Sequence, residues 1–342
     1  MSKNDSFEKI MKEIVANIPE GDKEIFKYLN EQMRSYKGHK YEQEIARACG
    51  RLLYERLSPD ARKKFDDAVH KDSDGFESVI KEIQFKIHQK EYDSALKMLE
   101  EIIEKYEKLN LYKDDNVSMY FNFEDPFQSV LYIVLNKPDK DVREAQFNYA
   151  RIYLIYGSLL FELRRFEEAI VALEKAKRWN PVCPDIAFEL AEAHKAIGDT
   201  DGFFKKTQDI FKYLYNPFAI ARYYRNLGFY YVEKEEYETA ACCLDYSGNF
   251  QRSEMIQSEL YYISTKCGRI INPTEEDIEK CFKENDIQKA PTTDVLGIAF
   301  SVGKQCFEDK QYGTAKFFLG IVDTYIDDDQ VRKMLTVCDE NK

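Results

Sequence analysis

The side chains in this sequence that commonly carry out catalysis or bind metal ions are few and scattered. Histidine occurs only as His39, His70, His88 and His194. The H-E-x-x-H, G-x-S-x-G, P-loop and G-x-G-x-x-G patterns, which arrange residues for hydrolysis or for phosphate and dinucleotide binding, are not found in the sequence. A Cys–His nucleophilic pair stays open, because its partners can be distant in sequence. We therefore expect a protein without bond-making chemistry, without a cofactor and without a metal ion.

The cysteines do not form a recognisable metal or disulfide pattern. There are eight of them, none in a C-x-x-C pair, and the adjacent Cys242 and Cys243 lack the ligand spacing of a zinc site. Most are expected to be buried thiols, which pack as small hydrophobic side chains. This use of cysteine is typical of a reducing compartment, so the expected localisation is cytoplasmic.

Basic residues outnumber acidic ones between positions 34 and 64, around the stretch "EIARACGRLL". Ala46 and Gly50 have the spacing of a DNA-binding helix-turn-helix, but the following "RLLYERL" lacks the turn and the second-helix pattern. The interpretation we favour places Arg47, Arg51 and Lys63 on a solvated face. The whole chain carries a net charge of −12, which makes nucleic acid an unlikely general partner.

The elements that must position any site are helical. The 342 residues are 44% hydrophobic and 33% charged, with only 14 Gly and 9 Pro, a balance that favours helices over sheet or disorder. The longest apolar run is "LYIVL" at 131–135, far shorter than the roughly 20 residues that span a bilayer. The first residues do not resemble a secretory signal either.

The stretch 150–181, "ARIYLIYGSLLFELRRFEEAIVALEKAKRWNP", has the pattern of two antiparallel helices. Apolar side chains recur at helical spacing in both halves, and Gly157 and Ala169 are small where the two helices must approach each other. Asn180 and Pro181 end the second helix, because the residue before proline is pushed out of the helical region. The stretch resembles the tetratricopeptide (TPR) repeat, a motif of about 34 residues.

The same pattern returns further along the chain. A second unit begins near Asp185 and departs from the pattern at Phe203, where a small residue is expected, so its second helix is expected to sit differently. Third and later units place Gly228 with Leu244 and Gly303 with Leu319 in register, and residues 92–106 match only a second helix. The resemblance implies an all-α protein, an α-solenoid of TPR-like helical hairpins forming a right-handed superhelix.

The TPR resemblance also implies where a partner would bind, because the first helix of each repeat lines a concave groove. Carried over, the groove positions that combine positive charge and aromatic surface are Arg151, Phe161, Phe188, Lys195, Arg222, Arg225 and Phe229. These side chains suit a protein or extended peptide that carries carboxylates. Leu154 and Ser158 stand where the carboxylate clamp of chaperone-binding TPRs needs Lys and Asn. An equally weighted alternative is that the groove arginines pair with acidic residues of neighbouring repeats.

Residues 120–139, "YFNFEDPFQSVLYIVLNKPD", interrupt the array ahead of the first clear repeat. Asp125 and Pro126 predict a helix start, and the helix would be apolar on two sides, which usually indicates burial. The favoured interpretation is an insert packed between repeats. The alternative is a second partner surface formed by Phe123, Phe127 and Leu131. Similar inserts ahead of an "RWNP" repeat resemble those of bacterial cytoplasmic TPR proteins.

The expected organisation has two parts. Residues 1–70 form a small N-terminal helical bundle, with Asp22 as a helix cap and "KDSDG" at 71–75 as the joint. Residues 76–342 form the solenoid, with the insert at about 110–140 and a capping helix at the C-terminus. The expected function is a protein- or peptide-binding scaffold. Two alternatives remain: a peptide-responsive regulator whose N-terminal helices are an effector or nucleic-acid-binding region, and an enzyme.

Overall fold

The computed structural model describes residues 6–109 and 112–341, and it leaves the side chains of residues 64–74 and 109 undescribed. The chain divides into two compact units. Unit 1 holds the described residues up to Phe121, together with Pro138–Asn148, and unit 2 holds Asn122–Lys137 and the described part of Tyr149–Lys342. Among the described residues, no helix has both the length and the apolar composition needed to cross a bilayer.

Unit 1 begins with three amphipathic helices, α1 (Phe7–Ala16), α2 (Asp22–Ser35) and α3 (Glu42–Arg56). They bury one shared apolar cluster that includes Ile10, Leu29 and Ile45. Asp22 does not cap α2 as we predicted. Its carboxylate instead accepts hydrogen bonds from the backbone N–H of Ser58 at 2.8 Å and from the Ser58 hydroxyl at 2.6 Å. The side chain therefore ties the start of α2 to the start of the fourth helix.

The boundary that we predicted at residues 71–75 falls inside a helix. α4 runs without interruption over Pro59–His88 and forms a hairpin with α5 (Tyr92–Leu109). Ala95, Leu99 and Ile102 are buried on α5, as the partial repeat pattern predicted. The prediction of a joint is wrong because residues such as those of "KDSDG" disfavour a helix only weakly, and the helical sequence on both sides outweighs that preference.

Unit 1 also contains a feature that the sequence analysis did not predict. β1 (Ser118–Phe121) and β2 (Asp141–Glu144) pair as a two-stranded parallel sheet, with Ser118 opposite Asp141 and Phe121 opposite Glu144. Parallel strands need a crossover connection, and here it contains α6 (Pro126–Asn136). Because of these short strands, the described part of the chain is not purely helical.

Unit 2 is a helical-repeat solenoid in which successive helices pack against one another. Its helices after α6 are α7 (Tyr149–Glu162), α8 (Phe166–Trp179), α9 (Pro184–Ala196), α10 (Thr200–Asp209), α11 (Pro217–Glu233), α12 (Tyr237–Ser247), α13 (Glu254–Cys267), α14 (Glu275–Glu284), α15 (Thr293–Glu308), α16 (Tyr312–Asp323) and α17 (Asp329–Glu340). Helices α7–α8, α9–α10, α11–α12 and α15–α16 form the hairpins, and α17 packs on α16.

One contact recurs at the crossing of three of these hairpins. A Cβ atom placed on Gly157 would lie 2.5 Å from Cγ of Leu173 and 3.3 Å from the carbonyl oxygen of Ala169. Gly228 stands in the same relation to Leu244, at 2.6 Å, and Gly303 to Leu319, at 2.9 Å. In each hairpin the two helices approach so closely that only glycine fits opposite the leucine. The predicted repeat register is therefore confirmed at this position.

The second hairpin is built differently, as we expected from Phe203. Phe203 is fully buried and meets Phe229 edge-on with ring centroids 5.2 Å apart. Its helix α10 is short and continues as a 3₁₀ turn over Phe211–Tyr213. Further along, α13 and α14 both pack on α12, so this pair is less regular than the hairpins before it.

The insert helix α6 is part of the core of unit 2. Phe127 and Leu131 are each 0% exposed, and Phe123 is half-buried. The Phe127 ring packs against Tyr215 and Phe318, with centroids 4.8 and 5.7 Å apart. The favoured interpretation of a packed insert is therefore confirmed for Phe127 and Leu131, and the alternative of a partner surface is wrong for these two residues. Burying these two apolar side chains between the hairpins lowers the free energy of the folded state more than leaving them exposed to solvent.

Polar side chains fix α6 to the loops that join successive repeats. Asp125 caps the helix by accepting from the N–H groups of Phe127 and Gln128, and it also accepts a hydrogen bond from the hydroxyl of Tyr215. Buried Gln128 accepts from Nδ2 of Asn180 at 2.8 Å. At the other end, Asn136 accepts from the hydroxyl of Tyr213 at 2.8 Å. The insert thus contacts the loops after both α8 and α10.

The Gly–Leu crossing makes the first testable prediction. Gly157→Ala should lower the free energy of unfolding by about 1–3 kcal/mol, because the new methyl group overpacks a rigid crossing. Gly320→Ala is the matched control, since Gly320 lies within α16 and a Cβ there meets nothing within 4 Å. The control should be neutral or stabilising by up to about 1 kcal/mol, from helix propensity alone. Urea unfolding followed by circular dichroism compares the two, and equal midpoints would contradict the proposed crossing.

The packing of α6 gives the second testable prediction. Phe127→Ala should cost about 3–5 kcal/mol because it opens a cavity among aromatic rings. Ile133→Ala on the same helix removes a side chain that is 43% exposed, and it should change stability by less than about 0.5 kcal/mol. Thermal unfolding of the two variants measures the difference. An insert that is not part of the core would show the same small effect for both.

Candidate functional site

The first helices of three consecutive hairpins lie side by side, because α9 packs on both α7 and α11. We call their groove positions the first-helix face, defined by the seven predicted residues Arg151, Phe161, Phe188, Lys195, Arg222, Arg225 and Phe229. The Gly–Leu crossings set the rotation of α7 and α11, and so determine which side chains can reach this face.

Arg222 is held between an acid and an aromatic ring of the preceding repeat. Its guanidinium donates to Oε1 of Glu189 at 3.0 Å and lies 5.1 Å from the centroid of the Phe188 ring. The alternative prediction, that a groove arginine pairs with an acidic residue of a neighbouring repeat, is therefore correct for Arg222. Phe188 is fully buried under this arginine. Its prediction as an exposed aromatic anchor is therefore wrong, because the side chain fills the space between α9 and α11.

Lys195 combines two similar contacts. Its ammonium lies 3.1 Å from a carboxylate oxygen of Glu192, one turn earlier on α9, and 4.1 Å from the ring centroid of Phe229. A cation over an aromatic face is attracted by the ring quadrupole, and the attraction is stronger where water is partly excluded. Phe229 is itself half-buried against Phe203. The structure thus brings Lys195 and Phe229 together as predicted.

Arg225 differs from the other two cations. It is half-buried, and its guanidinium donates to Oε1 of Gln251 at 3.2 Å, a neutral acceptor in the segment after α12. Burial lowers the pKa of Arg225, and the positive charge of Arg222 lowers it further. Among the described residues, no carboxylate lies within ion-pair distance of Arg225. An anion beside this arginine would restore the interactions that burial has removed.

The remaining two residues lie on α7. Phe161 is half-buried and packs on Phe166 of its own hairpin, with ring centroids 5.2 Å apart. Arg151 is half-buried at the start of the helix. The pairs that the structure shows in direct contact are Arg222 with Phe188 and Lys195 with Phe229. The partners of these cations were not predicted individually. Glu192 follows the local i,i+3 spacing with Lys195, whereas Glu189 and Gln251 are distant in sequence and nothing in their local pattern marks the role.

The basic segment of unit 1 forms the expected solvated face only in part, since Lys63 is exposed and Arg51 is half-buried. α3 continues through Gly50, where a helix-turn-helix would need its turn. Arg47 is not on a solvated face: it donates to Asp115 at 2.8 Å and its side chain is 17% exposed, against 5% for the aspartate. The guanidinium also lies over the Tyr120 ring. Arg47 is therefore occupied in holding the segment before β1 onto α3.

This ion pair predicts how acid affects unit 1. Burial raises the pKa of Asp115, but the N–H groups of Val117 and Ser118 and the Arg47 guanidinium together outweigh it, so the pKa lies below the usual 3.8. A carboxylate with a lowered pKa stabilises the folded state above 3.8, and the contribution is lost as the pH falls through the folded value. Asp115→Asn should therefore be clearly less stable than the natural protein at neutral pH.

The same comparison should give a difference that shrinks progressively as the pH falls below 3.8 towards the lowered pKa of the folded state. Unfolding midpoints of both proteins across this range provide the measurement. A stability difference that is independent of pH would show that the side chain acts by shape rather than by charge.

Comparisons with known proteins found the following similarities. The family model described as "Tetratricopeptide repeat" matches residues 150–183. The solved structure from a functional characterisation of Pseudomonas aeruginosa pilF is 16% identical and covers 56% of this chain and 88% of its own, with a TM-score of 0.32. A tetratricopeptide repeat protein from Parabacteroides merdae is 11% identical and covers 77% of this chain and 98% of its own, with a TM-score of 0.36. No match was found among curated proteins.

The chain therefore carries a tetratricopeptide repeat within an all-α helical-repeat solenoid. Hairpins of this kind are protein-interaction modules that present a concave surface built from successive repeats. The general kind of function is that of a protein-interaction scaffold.

Proposed function

We propose that the protein binds an acidic, extended peptide segment of a partner protein on the first-helix face, without bond-making chemistry. The observation that carries the proposal is Arg225, a half-buried guanidinium whose hydrogen-bond acceptor Gln251 is neutral. A partly buried charge without a counter-charge is unfavourable, and a carboxylate from a bound peptide removes that penalty. Arginine is suited to this role because its planar fork pairs with both oxygens of a carboxylate.

The neighbours of Arg225 add positive charge and apolar surface along the same face. Arg222 and Lys195 add positive charge, and each already lies over an aromatic ring. Their own acids, Glu189 and Glu192, are partly exposed, so their ion pairs are weak and exchangeable. Half-buried Phe229 offers apolar surface for a side chain beside the carboxylate. Alternating acidic and apolar side chains in an extended segment would match this arrangement.

Binding affinity tests the proposal once a partner has been captured from the native cell and its binding segment has been synthesised as a peptide. Arg225→Gln should weaken the peptide Kd by roughly tenfold or more, since a hydrogen bond to a charged group contributes about 1.5–3 kcal/mol. Arg222→Glu combined with Arg225→Glu should abolish binding. Helicity measured by circular dichroism should be unchanged in both. Isothermal titration calorimetry gives the affinities.

Arg269→Gln is the control, because Arg269 is an exposed arginine that follows α13 and lies outside the first-helix face. It should leave the Kd unchanged. If Arg225→Gln binds as tightly as the natural protein, or if Arg269→Gln weakens binding equally, the first-helix face is not the site.

A further inference from the structure

A second chemically distinctive place in unit 2 is a cleft of about 350 Å³ between α12, α14 and the chain that connects α13 to α14. Two cysteines line it, Cys242 from α12 and Cys281 from α14. Charged groups of both signs surround them, namely Glu238 from α12, Arg269 from the connection, and Asp277, Lys280 and Glu284 from α14. The cleft does not include any residue of the first-helix face.

The two thiols are placed as a pair. They belong to helices that pack against each other, and both line the same cleft. Cys242 is only 4% exposed, and its sulfur lies 3.9 Å from the carbonyl oxygen of Asp277. Cys281 is less buried. Cys281 is therefore the more accessible of the two cysteines, and Cys242 is the more buried.

The surroundings of Cys281 favour its ionised form. Nδ2 of Asn285 lies 3.7 Å from the Cys281 sulfur and donates a hydrogen bond to it. The neighbouring Cys242 thiol has the largest influence, and together with the Thr239 hydroxyl and the Asn285 amide it lowers the pKa of Cys281, against the opposing effects of burial and Glu284. The pKa of Cys242 is raised, first by its interaction with Cys281 and then by burial.

We propose that Cys281 is a hydroperoxide-reactive thiol and that Cys242 is its resolving partner, so that oxidation links α12 to α14 by a reversible disulfide. The Cys281 thiolate attacks the terminal oxygen of the peroxide, the O–O bond breaks, and the departing alkoxide or hydroxide takes a proton. The resulting sulfenic acid is attacked by the Cys242 sulfur, which loses its proton as an S–S bond forms and water leaves. Overall, the two thiols lose two electrons and the peroxide gains them.

The accessible thiolate with a second sulfur beside it distinguishes this place from a buried structural cysteine. Reactive cysteines are partly exposed and are stabilised as thiolates by their neighbours. A sulfenic acid with an adjacent thiol condenses to a disulfide rather than being oxidised further. The linkage would close the chain between positions 242 and 281, which contains all of α13. A dithiol reductant would reverse it.

The first measurement uses the natural protein. Its alkylation by iodoacetamide is followed residue by residue with peptide mass spectrometry across a range of pH. The rate at Cys281 should reach half its maximum at a pH clearly below that of an ordinary thiol, which does so near about 8.5. Cys267, a cysteine of similar exposure on α13, is the internal control. A Cys281 profile that coincides with that of Cys267 would overturn the proposal.

The second measurement treats the natural protein with hydrogen peroxide and maps its disulfides. The expected product is the Cys242–Cys281 linkage, with loss of two hydrogen atoms and recovery of the thiols on reduction. Cys242→Ser keeps a hydroxyl donor beside Cys281 and should accumulate a sulfenic acid at position 281 that dimedone traps. Cys281→Ser should abolish both the linkage and the trapped adduct. Absence of the linkage in the natural protein, or its persistence in Cys281→Ser through another cysteine, would contradict the assigned pair.

Discussion

The close crossing of two helices at a glycine is the constraint on which the repeat part of the structure depends. Gly157, Gly228 and Gly303 each face a leucine at a distance that leaves no room for a Cβ atom. This contact sets the distance between the helices of a hairpin and the rotation of its first helix about its own axis. The rotation decides which side chains enter the core and which reach the first-helix face. The first-helix face is thus a consequence of a packing contact made elsewhere on the same helices.

The insert shows how the solenoid departs from a simple stack of repeats. Helix α6 contributes Phe127 and Leu131 to the apolar cluster of unit 2, which also includes residues of α9, α11 and α16. Its polar side chains satisfy groups in the loops after α8 and α10. α15 also packs on α6. A segment that interrupts the repeat sequence therefore supplies packing that the repeats alone do not provide.

The two proposed sites use different chemistry on one scaffold. The first-helix face offers cations held over aromatic rings, with Arg225 as the group that lacks a negative partner among the described residues. The cleft between α12 and α14 offers a thiolate stabilised by neighbouring donors. Both depend on burial, because partial removal of water makes an uncompensated charge unfavourable and makes each remaining hydrogen bond stronger. Neither arrangement follows from the presence of charged or sulfur-containing residues alone.

The amino-acid sequence by itself determined the helical class, the repeat register and the ends of α6, because periodic apolar residues, small residues at crossings and Asp–Pro or Asn–Pro pairs act over a few residues. It did not determine the small parallel sheet, the uninterrupted α4, the burial of Phe188, or the partners of Arg47 and Cys281. Those features join residues that lie far apart in sequence or that face different neighbours once the helices have packed. Local propensity carries no information about such contacts, and only the tertiary structure decided them.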